Sequence, residues 1–385
     1  MFAVFVDNIK KCSKCYWHPG FFKESTEPQL PNEKSNVTNQ NKCEINLQTF
    51  SATPPSWALP RDELPPSSRS GCVNDEPIKG PLVKFLSKKT LEEREPQVSI
   101  NDDNIRWLVR KYVMERCYDE KSNDEDLLRR QDEDHISRWN TSNVTDMSAL
   151  FRNLNGENTF TYFNQPIGDW DVGGVTNMYR MFYGASNFNQ PIGEWDVRNV
   201  TNMSQMFQYA SSFNQAIGKW KVENVTDMSF MFFLASSFNR AIGKWNVGKV
   251  AVMNSMFYFA SSFNRPIGDW DVRNVTDMSH MFRDAENFNR PIGDWKVGNV
   301  VNMSGMFAGA ESFDQPIGEW DVAKVTNMSD MFAGASSFNQ PIGKWKVGNV
   351  TDMDRMFAGA SSFDQPIGEW DVGKVTNMSG MCRPV

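Results

Sequence analysis

Histidine is scarce in this chain, with three in 385 residues. That leaves little material for imidazole catalysis or a histidine-rich metal site. Basic charge is not in excess either. Lys and Arg number 40 against 47 Asp and Glu, a net charge of −7, so the basic stripe of a nucleic-acid binder is missing. No apolar run approaches the roughly 18 residues of a membrane span. The opening segment Met1 to Val6 is too short for the apolar region of a signal peptide, and Lys10 and Lys11 follow it rather than precede it. No nucleophile stands beside a base, no glycine loop offers a phosphate cradle, and no carboxylate pair lies outside repeated charge columns. The composition therefore predicts a non-enzyme without a cofactor. Four of the six cysteines, Cys12, Cys15, Cys43 and Cys72, fall in the first 98 residues. Cys12 and Cys15 have the spacing of a zinc pair, but no second close pair accompanies them, so plain thiols or a local disulfide are the simpler expectation.

What is abundant is Phe (28), Met (21) and Trp (13), and the cause is a repeat. Tryptophans stand at Trp170, Trp195, Trp220 and onward to Trp370 in steps of 25 residues. Nine units begin at Phe163 and every 25th residue to Phe363, after a degenerate first turn near Ile136. A period in the 20s predicts a solenoid whose neighbouring units share one core.

Within a unit, Ile167, Trp170, Val172 and Val175 are offset by 0, 3, 5 and 8 residues, the offsets of a leucine-rich repeat's strand and turn. Trp170 and Val172 alternate with Asp169 and Asp171, which predicts a strand with one apolar face. Met178, Met181, Phe182 and Ala185 then fall at i, i+3, i+4 and i+7 and predict a short helix, with Thr176 or Asn177 as N-cap and Gly184 as its left-handed end. The expected fold is an α/β solenoid, leucine-rich-repeat-like, with a parallel β ladder on one face and short helices on the other. Like residues would stack about 4.8 Å apart, making the Met, Phe and Trp columns mostly core.

Three regions follow. Residues 1–98 hold 11 of the 19 prolines and read as a mostly disordered Pro/Ser-rich tail. Residues 99–134 read as a helix (Ile105, Leu108, Val109, Tyr112, Val113) that caps the first turn, then an acidic linker. Residues 135–385 are the solenoid of about ten repeats. The last unit carries Cys382 in place of Phe, which suggests core packing or end-to-end self-association through an uncapped repeat.

Two outward faces are candidate sites. Asp171, Asp196, Lys221, Asp271, Lys296, Asp321 and Lys346 form a charged strand face, which is either a self-neutralising ladder or a ligand surface. On the expected helices the outward columns vary most. Tyr183, Tyr209, Phe230, Phe233, Leu234, Tyr258 and Phe259 should form one exposed aromatic patch, of the kind that marks an interaction surface, unless tilted helices or the tail cover it. His280 reads as a lone surface residue. Thr176, Thr201, Thr226 and Thr276 form an interrupted row that resembles an ice-binding ladder but reads better as helix caps. Asn199, Asn224, Asn274 and Asn349 begin N-V-T glycosylation signals, and their place beside the caps explains them structurally.

The consensus W-D-V-x-N-V-T-N-M-S-x-M-F-x-G-A-S-S-F-N-Q-P-I-G, over about 136–382, resembles the repeat of BspA-like, mycoplasma-lipoprotein-type surface proteins. That resemblance implies surface display or secretion, protein binding and adhesion, and it brings no catalytic residues. The start of the chain suggests the alternative of an intracellular interaction scaffold whose tail recruits a partner.

Overall fold

The computed structural model describes residues 99–119, 135–153 and 159–382. The Pro/Ser-rich tail with Cys12 and Cys15, and most of the acidic linker, lie outside the described residues. So do residues 154–158 of the insertion in the first turn.

From residue 159 onward each 25-residue unit makes one coil, and each coil lies on the next. Nine parallel bridges, counted among the described residues, run from Asp146 opposite Asn177 to Asp352 opposite Asn377. The bonds that join coils follow a rule of alternation. Met178, Arg180, Phe182 and Gly184 donate their amide hydrogens to the carbonyls of Asn202, Ser204, Met206 and Gln208 in the next coil, at 2.8–3.1 Å. The residues between them turn back: Met181, Tyr183 and Ala185 donate to Met178, Arg180 and Phe182 of their own coil, at 3.1–3.2 Å. No backbone donor in this stretch is left to find water, as burial demands.

The expected helix over Met178 to Ala185 is therefore corrected to a run of overlapping turns that carries the inter-coil bonds. The reason lies in the dihedrals. Arg180 has φ 55° and Gly184 has φ 74°, both left-handed, and a right-handed helix admits neither. The bridges also sit at the Asn177 column, seven residues after Trp170, rather than at Trp170 itself.

The core runs unbroken through the stack. Ile192, Trp195, Val197, Val200, Met203 and Phe207 are each no more than 4% exposed, and so are their equivalents from Ile167 to Phe357, while at the two ends of the stack Trp139 and Val372 are half-buried. Trp195 stacks on Trp220 at 6.4 Å, and Phe188 on Phe213 at 6.0 Å. A buried indole N–H needs an acceptor. Trp195 donates to the carbonyl of Ile167 and Trp220 to that of Ile192, at 3.2 and 3.0 Å, so each tryptophan also ties its coil to the one before. The glycine of Q-P-I-G has a steric cause: a Cβ on Gly193 would stand 2.2 Å from the carbonyl oxygen of Ala216.

Helix α1, Ile105–Asp119, closes the first coil. Asn101 accepts from the amide of Asp103 while Asn104 accepts from that of Asn101, a reciprocal cap. Ile105 and Val109 are fully buried. Two polar side chains reproduce the coil that is missing on this side. In the stack, the amide of Thr201 donates to the carbonyl of Thr176, and that of Thr176 to Thr145. Thr145 has no earlier coil, and its amide and hydroxyl donate instead to the carboxylate of Asp102, at 2.8 and 2.6 Å. The carbonyls of Asp146 and Ser148, which elsewhere accept from a preceding coil, accept from the Arg106 guanidinium. Asp102 thus supplies the acceptors and Arg106 the donors of an absent neighbour, which blunts an otherwise open edge. Among the described residues, no helix is long and apolar enough to cross a membrane.

Candidate functional site

Three columns of the turn segment vary from coil to coil. One runs Arg152, Tyr183, Gln208, Phe233, Tyr258, Arg283 and then Ala308, Ala333, Ala358. The second, left-handed throughout, runs Gly184, Tyr209, Leu234, Phe259, Asp284 and then glycines. The third, also left-handed, includes Arg180, Phe230 and His280. Because the segment is pinned to the coils on both sides, these side chains meet across coils rather than along a helix.

The six aromatic residues of the predicted patch come together, but not as an exposed surface, and Leu234 stands in the neighbouring column of the same coil as Phe230 and Phe233. Tyr183 packs edge-on against Tyr209 at 5.3 Å, Tyr209 against Phe233 at 5.5 Å, and Phe233 against Tyr258 at 4.8 Å. Tyr258 stacks on Phe259 at 4.8 Å, and Phe230 leans on Phe233 at 5.8 Å. The expected exposure is corrected for six of the seven members. Tyr183 and Tyr258 are 7% exposed, Tyr209, Phe230, Phe233 and Leu234 are half-buried, and Phe259 is 37% exposed. The cause is the edge-to-face packing, which suits ring quadrupoles, together with cations that lie over the ends. Arg152 and Arg180 cover Tyr183, and Arg283 covers Tyr258.

Four of the seven are held in an unfavourable backbone. Tyr209, Phe230, Leu234 and Phe259 have φ of 63°, 55°, 57° and 54°. A bulky residue there is an outlier that costs on the order of 1–3 kcal/mol. Gly309, Gly334 and Gly359 take the second column in later coils without that cost.

His280 is not a lone surface residue. It stacks beside Tyr258 at 6.1 Å, and burial, assisted by the Arg283 charge, depresses its pKa to about 4. Burial likewise pushes up the Tyr258 hydroxyl and the Asp284 carboxyl, the latter against the pull of Arg283, 3.5 Å away. A Cβ on Gly305 would meet the His280 ring at 2.3 Å, and one on Gly309 the Asp284 carboxylate at 2.1 Å. Polar side chains of one coil thus lie over the glycines of the next; beyond them the first two columns are alanine and glycine, and in the third Asp330 pairs with Arg355.

On the charged face, Asp171, Asp196, Lys221, Lys296, Asp321 and Lys346 are exposed and Asp271 is half-buried. The acids shape their own turns. Asp171 accepts from the amide of Gly173, Asp196 from Arg198, Asp271 from Arg273 and Asp321 from Ala323, the Asx-turn pattern. Bonds from the Arg198 and Arg273 side chains hold Asp196 and Asp271 below the usual carboxylate range. Pairs between coils occur one column earlier, Lys219 with Glu194 and Lys344 with Glu319; both are well exposed and worth about 0–1 kcal/mol.

Other columns are spent on the stack. The side-chain amides of Asn199, Asn224, Asn274 and Asn349 donate to carbonyls of the preceding coil at 2.6–2.8 Å. The hydroxyls of Thr176, Thr201, Thr226 and Thr276 do the same at 3.2–3.4 Å. Cys382 is half-buried in the last described coil. Among the described residues no group of three or more His, Cys, Asp or Glu is placed to hold a metal ion.

Sequence comparison adds one family. Residues 123–240, 214–316 and 287–385 each match the family described as Mycoplasma protein of unknown function, DUF285. The three overlapping matches cover 123–385, well over half of the chain. No curated protein matches the sequence.

Proposed function

We propose that this chain, which belongs to the DUF285 family, is a non-catalytic protein-recognition solenoid, leucine-rich-repeat-like in plan, that serves adhesion at a cell surface. One observation carries the reading. Tyr209, Phe230, Leu234 and Phe259 occupy left-handed positions in three successive coils and share one face, although glycine satisfies the same fold later in the stack. Retaining four strained, bulky side chains where glycine fits is a stability loss, and such losses concentrate at functional sites. The face also has the composition of a binding surface, with aromatic anchors of limited rotamer freedom ringed by arginines. The chemistry needed for catalysis is not what the face offers: its polar members, His280, Arg283 and Asp284, are engaged with Tyr258 and with each other.

The test uses beads coated with the full-length chain and applied to cells. A Phe233→Ser, Phe259→Ser variant whose melting temperature matches the wild type should lose at least about tenfold in bead retention, the loss of roughly 1.4 kcal/mol or more that removing aromatic anchors produces. Equal retention by both proteins would end the proposal.

A further inference from the structure

The two ends of the aromatic row carry opposite charge, and their spacing has a centre. We propose that a second copy of this chain packs on the row in antiparallel orientation; this rests on the reading of the row as a recognition face. Phe230, Phe233 and Leu234 belong to one coil, the most apolar of the row. One coil to either side stand Tyr209 and the Tyr258–Phe259 pair. Two coils to either side stand Arg180 and Glu286. Three coils to either side stand Arg152 and Glu311. Glu286 and Glu311 are exposed and both act on Asp284 electrostatically, which places them at the row's far end. Arg152 and Arg180 gather over Tyr183 at the near end. Arg283 and Asp284 neutralise one another as a pair, so the near end has two arginines in excess and the far end two glutamates.

A two-fold axis through the Phe233 coil brings each end of one copy to the opposite end of the other. Arginine meets glutamate at both ends, aromatic meets aromatic between them, and the central coil meets itself. That is the self-complementarity an isologous dimer requires. A parallel arrangement would put arginine on arginine and is disfavoured, since like charges in an interface repel. The row spans only a few coils, so the contact falls among the smaller, transient interfaces and should weaken with added salt.

Sedimentation velocity of the full chain over a concentration series is the experiment. The wild type should show a concentration-dependent dimer that dissociates as salt rises. Arg152→Glu with Arg180→Glu should weaken it about tenfold or more, and so should Glu286→Arg with Glu311→Arg. Mixing the two variants in equal amounts should restore a heterodimer, because both contacts then join opposite charges again. Restoration also shows that both variants are folded. A wild type that stays monomeric at every concentration would overturn the inference, as would variants that dimerise normally or a mixture that fails to recover. If the chain is monomeric while bead adhesion still depends on Phe233 and Phe259, the dimer is wrong and the recognition reading stands. If the dimer forms while adhesion ignores those residues, the adhesion reading is the one that fails.

Discussion

His280 is the residue at which burial and charge meet. Its imidazole lies against Tyr258, with the Arg283 charge acting on it, and it is held neutral with a pKa of about 4 against an ordinary 6.5. The unfolded chain therefore takes up a proton between pH 6.5 and 4 that the folded chain refuses. Stability from this source is complete above pH 6.5 and is lost as pH falls through that window, on the order of 3 kcal/mol in all. Asp284 works in the opposite sense. Its folded pKa is raised, so the fold gains from its protonation as pH falls and offsets part of the loss. Asp102, Asp196 and Asp271, whose folded pKa values are lowered, respond only below the ordinary carboxylate value of 3.8. Urea midpoints at pH 7 and pH 5 should thus diverge in the wild type and lie much closer together in His280→Gln. Equal pH dependence in the two proteins would mean that the histidine is solvated in the fold.

At the scale of the element, helix α1 is the piece whose role rests on few bonds. Asp102 and Arg106 stand in for a coil, and the amides of Thr145 and Asp146 both donate to the Asp102 carboxylate. Asp102→Ala should cost about 1–2 kcal/mol, the worth of hydrogen bonds to a charged acceptor at a partly exposed site. Amide hydrogen exchange should accelerate at 144–151 and remain unchanged beyond the third coil, and uniform acceleration along the stack would contradict the local role. The same scale shows where the sequence was readable. Apolar columns at a 25-residue step identified the residues that are buried, from Ile167 to Phe188, because burial depends on which side a residue faces. They did not identify the backbone that turns them inward. Met178, Met181, Phe182 and Ala185 have helical spacing, yet turns that close at i+3 return the same residues to the same side. Gly305 and Gly309 held the missing signal: two glycines four residues apart, in columns that admit glycine repeatedly, suit left-handed positions and not a helix interior. The patch residues were legible as a group because column variation is visible in sequence. The burial of Tyr183 and Tyr258 was not, since it depends on arginines from other coils and on ring packing that spacing does not encode.

For the whole molecule, the governing fact is that every coil bonds and packs mainly with the coils beside it. Stability then approaches a sum of coil terms and nearest-neighbour terms. Removing one complete unit, Phe313 to Ser337, joins Ser312 to Phe338 in register. The carbonyls that accepted from the Met303 to Gly309 segment are replaced by chemically equivalent ones one coil on, and Trp345 finds the Ile292 carbonyl in place of that of Ile317. Such a deletion should keep the circular-dichroism signature and a cooperative transition, with a melting temperature lower by a few degrees, about what one lost coil and one lost interface imply in a chain this long. Removing half a unit, 313–324, takes away Phe313, Ile317, Trp320 and Val322 but keeps the turns. It leaves the Trp345 indole and several inter-coil carbonyls without their counterparts, so the stack should divide into two independently melting parts. The aromatic row and its charged ends, Arg152 to Glu311, precede both deletions. The full-unit deletion should therefore leave dimerisation and bead adhesion unchanged even though it lowers stability, and a loss of either function in that protein would move the binding surface towards the C-terminal coils.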